Sequence, residues 1–129
     1  MAIIITRLDK AKLDVMLKQP EGEVGRWLAK RAELIALAAR AQVGRRTGRL
    51  ASSIHIRHSR TVYGQSIKIG SDLHYALLHH EGTRPHLIVG RDGPLRFSAK
   101  GRIVYTHAVR HPGTKPNRYL SDNLRLIRT

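Results

Sequence analysis

Eight histidines and seventeen arginines are the side chains of this 129-residue sequence best placed to do chemistry. His79, His80 and His86 flank Glu81, a donor set that could hold a divalent metal or move a proton. Their spacing is not that of the helical HExxH motif, and His107 and His111 could join them only through tertiary folding. A hydrogen-bonded or surface imidazole is the plainer reading of each. Ser52 and Ser53 follow Gly48 without a G-x-S-x-G elbow, and neither a phosphate-binding loop nor a dinucleotide fingerprint occurs. A paired-acid hydrolase would have to draw on Asp72, Glu81, Asp92 or Asp122, at no favourable spacing. The absence of cysteine excludes a disulfide framework, a thiolate zinc site and a cysteine nucleophile. The expectation is a protein that is not an enzyme and takes no cofactor or metal.

Charge is the second lead. Lys and Arg total 24 against 9 acidic residues, a formal net charge of +15. Residues 1–43 carry 8 basic and 5 acidic groups; residues 44–129 carry 16 and 4, so the excess is C-terminal. Arg45, Arg46, Arg49, Arg57 and Arg60 fall within residues 44–60 with no acid among them. Arginine outnumbers lysine 17 to 7, which favours forked contacts to phosphate or carboxylate. A polyanion and an acidic protein neighbour both account for this. Tyr63, Tyr75 and Tyr105 could stack bases, but they are scattered, and no zinc finger, RRM signature or helix-turn-helix is present. A non-enzymatic basic nucleic-acid-binding protein therefore stands as the alternative reading.

These side chains need a scaffold, and 41% apolar residues is too many for a disordered basic tail. The length suits a single domain, 1–129, whose modest core favours association with partners. No apolar run reaches the roughly 18 residues of a membrane span, so no membrane partner is expected. Ile3-Ile4-Ile5 is too short for a signal sequence, which points to synthesis in the cytoplasm.

Residues 3–6 read as a short strand, and Asp9 as the cap of a helix running to Lys18. Gln19-Pro20-Glu21-Gly22 breaks that pattern. Over 23–43, Val24, Trp27, Leu28, Ile35, Ala38 and Ala39 recur at helical spacing, with Arg26, Lys30, Glu33 and Arg40 mostly on other faces. This predicts a long, alanine-rich helix, weakened at Gly25 and stopped at Gly44. The period then becomes two. Ile54 and Ile56, then Ile67 and Ile69, mark two half-buried strands joined at Tyr63-Gly64. Residues 72–80 fit a strand or a short helix. Residues 86–89 read as a strand, and 95–98 with 103–108 as a hairpin turning at 99–102. Residues 117–127 read as a short helix burying Leu120, Leu124 and Ile127. The expected class is α+β: a long N-terminal helix packed on a twisted antiparallel β-sheet, with a short C-terminal helix. Gly82-Thr83-Arg84-Pro85 has an outline copy in Gly113-Thr114-Lys115-Pro116, explained by turn chemistry or by a structural repeat.

In order along the chain stand Thr47-Gly48-Arg49-Leu50-x-x-Ser53-Ile54, Tyr75-Ala76 leading to Glu81-Gly82-Thr83, and Pro116-x-x-Tyr119-Leu120. This series resembles the neck or tail-completion family of long-tailed bacteriophages, small proteins of the head–tail junction. Pro85-His86-x-Ile88, Leu95-x-Phe97 and His111-Pro112-Gly113-Thr114 are similar to one branch of it. The likeness covers roughly residues 23–124, leaving 1–22 as an N-terminal arm and short helix.

The resemblance implies a structural virion protein of the head-to-tail interface. Such a protein would form a homo-oligomeric ring, commonly hexameric, around the DNA channel in the virion neck. Its neighbours would be the connector or stopper ring and the tail-terminator or tail-tube proteins, with contact to packaged DNA as a further option. No catalysis or cofactor is implied. The 47–50 turn would start the sheet, Tyr75-Ala76 and residues 81–83 would form a central strand and its loop, and residues 116–120 would dock the C-terminal segment. The residues themselves also read as structural: Gly48, Gly82 and Gly113 as backbone necessities, Leu50, Tyr75 and Leu120 as core. Interface positions are expected among Arg45, Arg46, Arg49, Arg84, His86, Arg91, Arg96 and Arg118. Because a lumen that passes DNA is often acidic, the basic excess is expected on outer or ring-stacking faces, or on DNA itself.

Overall fold

The computed structural model describes residues 9–44 and 46–128, so the strand expected at 3–6 and the candidate Arg45 lie outside the described residues. The class is α+β, as the hydrophobic pattern predicts. The described backbone separates into two compact units. One comprises the chain up to Leu73 together with Tyr119 onward; the other is His74–Arg118.

In the first unit, α1 (Lys10–Lys18) starts where the Asp9 carboxylate accepts from the Ala11 and Lys12 N–H groups at 3.1 and 3.2 Å. Those donors would otherwise be orphaned in the first turn. The chain doubles back and enters α2 (Glu23–Gln42), which is capped by Val43 and followed by Gly44 at φ +79°. Gly25 is buried: a Cβ there would meet the Gln19 carbonyl oxygen at 2.7 Å and the Pro20 carbonyl closer still. The glycine that weakens the helix on propensity is what lets the preceding turn close on it.

The buried stripe of α2 is Ala32, Ile35, Ala36 and Ala39, continuing into Val43. Trp27, expected on the apolar inward face, is instead 47% exposed, with the Arg31 guanidinium 5.6 Å from its ring centroid. The helical advance per residue explains the correction, because it sets Trp27 and Leu34 opposite the alanine stripe. Small side chains on the inner face allow close approach to α1, to a short α3 (Arg49–Ser53), and to the ladder of β1 (His55–Thr61) and β2 (Gly64–Gly70).

That short helix corrects a second expectation. Thr47-Gly48-Arg49-Leu50 does not open the sheet; Gly48, at φ +72°, opens α3, which buries Leu50 before β1 begins. β1 and β2 pair antiparallel with Ile56 opposite Ile69 and His58 opposite Ile67. Arg60 Nε donates to the Lys18 carbonyl at 3.0 Å, and Gln65 Nε2 to those of Leu17 and Gln19 at 3.1 and 2.8 Å. The ladder thus satisfies carbonyls at the end of α1 that the helix cannot.

The C-terminal helix (Ser121–Ile127) is 3-10, not α, and its burial differs from the expectation. Leu124 and Ile127 are 53% and 38% exposed, Leu120 is half-buried, and the buried residues are Tyr119 and Asn123. Three residues per turn line up Leu120, Asn123 and Leu126 on one side, whereas an α-helical spacing favours 120, 124 and 127. Asn123 Nδ2 donates to the Tyr119 carbonyl and to Gln42 Oε1, both at 2.8 Å, fastening the segment to α2.

Of residues 72–80 only the part from Ala76, within the second unit, is helical: α4 (Ala76–Glu81) buries Ala76. The central strand implied at Tyr75-Ala76 and 81–83 is therefore absent from this stretch, because Tyr75 caps the helix and Glu81 ends it. The rest is an interrupted β-hairpin of β3 (His86–Val89), β4 (Leu95–Ala99), β5 (Arg102–Thr106) and β6 (Ala108–His111). β4 and β5 join through Lys100 and Gly101, both at positive φ, the primed turn that matches strand twist. The strand expected over 103–108 breaks at His107, where burial parity switches and Thr106 Oγ1 donates to the Ala108 carbonyl at 2.8 Å. Beyond the break, β6 pairs with β3, while residues 91–94 loop out on the other side. Instead of the single sheet expected, the described residues form three two-stranded ladders.

Candidate functional site

The two Gly-Thr segments that echo each other in sequence lie side by side. Thr83 and Thr114 form an antiparallel bridge in which each backbone N–H donates to the other's carbonyl at 3.1 Å. Each N–H also reaches the opposite threonine Oγ1 at 3.1 Å, and the two hydroxyls are 3.1 Å apart. Gly82 and Gly113 stand at φ +74° and +87°, and a Cβ on either would strike the backbone of the other segment. The echo is therefore a structural pair, and turn chemistry alone does not account for it.

The same register continues from Thr83 opposite Thr114 to His86 opposite His111 and Val89 opposite Ala108. The His86 and His111 rings stack at 5.1 Å with a 30° tilt. His86 Nδ1 is 2.8 Å from the Arg84 carbonyl, so that nitrogen donates; His111 Nδ1 accepts from the Gly113 N–H at 3.0 Å. Both rings are thus oriented by backbone.

The hairpin presents one fully exposed face. Leu87, Val89, Ala108 and Arg110 occupy it on β3 and β6, and Arg96, Ser98, Ile103 and Tyr105 on β4 and β5. Arg96 Nε donates to the Tyr105 hydroxyl at 3.2 Å, holding the ring and the guanidinium together. The face carries no carboxylate. Exposed aliphatic, aromatic and arginine side chains are the composition of a protein contact surface.

The positions picked from sequence fall in both units. Arg46 and Arg49 are exposed beside Gly48 in the first unit, with Thr47 Oγ1 accepting from the Arg49 N–H at 3.4 Å. Ser53 Oγ donates to the Leu50 carbonyl at 2.7 Å and lies 2.6 Å from Ser71 Oγ, a structural role. Arg57, in the same unit, pairs with Asp72, whose carboxylate is also 3.6 Å from His55 Nε2. In the second unit Arg84, His86, Arg91, Arg96 and Arg118 are all exposed, as expected of interface candidates. They are dispersed: Arg84 and His86 beside the threonine bridge, Arg91 in the 91–94 loop, Arg96 on the outward face. Pro116 is exposed, Leu120 half-buried and Tyr119 buried, its phenol pushed above the ordinary value by loss of solvent.

His79, Glu81 and His86 do not converge. Glu81 is 2.6 Å from His80 Nδ1, His79 Nε2 faces Asn117 Nδ2 at 3.3 Å, and His86 stacks on His111. Among the described residues no group of three or more His, Asp or Glu is placed to hold a metal ion. Sequence reasoning missed Leu87, Val89 and Arg110, because strand alternation there was read without a partner. It also missed the outward face of α2, where Trp27, Leu34 and Leu37 are exposed and the two leucines line a shallow groove with Lys30, Glu33 and Arg40. Leu34 and Leu37, three residues apart, were the available signal.

No helix among the described residues is long and apolar enough to cross a membrane. No protein-family model, curated protein or solved structure matches the chain.

Proposed function

We propose that this chain is a structural protein of the bacteriophage head-to-tail interface, a homo-oligomeric neck or tail-completion ring around the DNA channel, without catalytic activity. The observation that carries the reading is the ordered motif series, from Thr47-Gly48-Arg49-Leu50 through Glu81-Gly82-Thr83 to Pro116-x-x-Tyr119-Leu120. Its members sit at junctions of the backbone: Gly48 opens α3, Gly82-Thr83 makes the bridge to Thr114, and Tyr119 is buried before the last helix. Exposed apolar side chains on the hairpin and on α2 add support, since a chain that works alone gains nothing from them. A hexamer, with connector and tail proteins above and below it, is the assembly this reading favours.

Electron microscopy of purified virions, with the chain traced in neck density, tests the proposal. A ring of this chain between capsid and tail is the expected result; particles that lack the chain overturn it. The nucleic-acid alternative has its own measurement, duplex affinity as a function of salt. A slope equivalent to several neutralised phosphates, lost on changing Arg46 and Arg49 to Ala, would favour that reading instead.

A further inference from the structure

Between Asp92 and Asp122 the chain carries no carboxylate. Its cations in that stretch are Arg96, Lys100, Arg102, Arg110, Lys115 and Arg118, and every one is exposed. None is in an ion pair among the described residues. Arg96, Lys100 and Arg102 belong to the β4–β5 hairpin, where they stand on different sides. The register sets Arg96 on the face of Ser98, Ile103 and Tyr105, while Arg102, opposite Ala99, lies on the other face. Lys100 stands at the turn between them. The hairpin therefore carries positive charge on both faces and at its tip, and no residue from Leu77 to Arg118 is buried.

Charge on both sides of a two-stranded ribbon selects among polyanions. An acidic protein surface meets a ribbon on one face and leaves the cation of the other in water. A duplex groove has a phosphate backbone on each side. A ribbon of two strands about 4.8 Å apart, about 10 Å thick with its side chains, fits a major groove about 12 Å wide and not a minor groove about 6 Å wide. Arg96 lies about 10 Å along the ribbon from the Ala99–Arg102 pair at 3.3 Å per residue, or about three base-pair steps. Its Nε donates to the Tyr105 hydroxyl at 3.2 Å, which holds the guanidinium on its own face. Between the cations the Ser98–Ile103 pair offers a hydroxyl and methyl groups to base edges.

We propose that the β4–β5 hairpin enters the major groove of duplex DNA, with Arg96 and Arg102 on the phosphates of opposite walls and Lys100 leading. The inference stands apart from the neck reading, because it concerns what the purified chain binds.

The test is fluorescence anisotropy of a labelled mixed-sequence duplex titrated with the full chain between about 50 and 200 mM salt. A chain with a net charge of +15 attracts any polyanion, so the comparison is between two forms that lose the same charge. The hairpin form carries Arg96→Gln, Lys100→Asn and Arg102→Gln; asparagine before Gly101 suits the positive-φ turn. The control form carries Lys10→Gln, Lys12→Gln and Lys68→Gln, exposed positions of the first unit without ion pairs among the described residues. Circular dichroism melts should show both forms folded. The hairpin form should lose roughly tenfold or more in affinity and about 2–3 from the log–log salt slope, the control roughly threefold or less. Arg102→Gln alone, one exposed change, should lower the slope by about 1, which keeps the test available if the triple form is unstable. A wild-type chain that does not bind the duplex overturns the proposal, and so do equal losses in the two forms. Full binding by the hairpin form, with loss on changing Arg46 and Arg49 to Ala, moves the contact to the first unit and overturns it too. A single strand bound as tightly as the duplex removes the groove. Poly-glutamate that displaces the duplex as well as unlabelled DNA does, at equal charge concentration, assigns the hairpin to acidic protein instead. Virion microscopy decides the neck reading separately.

Discussion

Thr83 and Thr114 engage each other reciprocally: each backbone N–H donates to the other's carbonyl and reaches the other's hydroxyl, all at 3.1 Å. The bridge starts the register that β3 and β6 continue. It depends on glycine next to each threonine, where a side chain has neither the dihedral angles nor the room.

Gly113→Ala is expected to destabilise the second unit by about 3 kcal/mol, from a non-glycine residue at positive φ together with overpacking against Thr83. Gly82→Ala should cost a similar amount, since its Cβ would lie 2.5 Å from the Thr114 carbonyl oxygen. Native-state hydrogen exchange reads both, as faster exchange of the β3 and β6 amides with the α2 amides unaffected. Thr83→Ala and Thr114→Ala should each cost about 1 kcal/mol, and the double variant less than their sum, because one shared contact is removed twice. Additive costs would show that the hydroxyls act separately.

The two faces of α2 predict opposite phenotypes for neighbouring residues. Ala36 is fully buried and Leu37 is 64% exposed. Ala36→Leu should lower stability by about 1–3 kcal/mol through overpacking. Leu37→Ala should change it by less than about 0.5 kcal/mol. Thermal melts separate the two, and equal melting shifts would contradict the assignment of inner and outer faces.

Much of this architecture was legible from periodicity. Asp9 as a cap, the 23–43 helix, the two strands around Ile56 and Ile69 and the turn at Lys100-Gly101 follow from local chemistry, which a sequence carries directly. What escaped it was decided by partners distant in the chain. Nothing near Gly82 indicates that residue 114 will face it, although the repeated tetrapeptide held the clue. Trp27 misled because size was read as burial, whereas the close contacts of α2 select alanine. Asn123 misled because an α period was applied to a 3-10 turn. The candidate arginines among the described residues are exposed, but the face that Arg96 shares with Leu87, Val89 and Tyr105 depends on a register that sequence alone does not give.

Asn123 predicts the strength with which the C-terminal segment is held. Its amide spans the Tyr119 carbonyl and Gln42 Oε1, and Gln42 Nε2 in turn donates to Asp122 Oδ2 at 3.2 Å. Asn123→Leu removes the amide and leaves a buried carbonyl without that donor, at an expected cost of about 1–3 kcal/mol. A cycle with Gln42→Ala should show a coupling of about 0.5–1 kcal/mol. Limited proteolysis should cut after Arg125 or Arg128 faster in the Asn123 variant; unchanged cutting would place the anchor elsewhere.

Burial of Tyr119 predicts a loss of stability at alkaline pH. The residue is 1% exposed, and loss of solvent raises its pKa above the ordinary 10.0. A phenol whose proton is held more tightly in the folded state contributes its full stabilisation below the unfolded value. That contribution is lost as pH rises through the folded value, because the unfolded chain then gains from ionisation while the folded one resists it. Stability should therefore hold steady up to about pH 10 and decline above it. Denaturant unfolding of wild type and Tyr119→Phe across the alkaline range measures this directly. Above about pH 10 the wild type should lose stability more steeply than the phenylalanine form, whose side chain has no proton to lose. Parallel slopes for the two would mean that the decline comes from the chain's lysines and other tyrosines, and that burial of Tyr119 has no part in it.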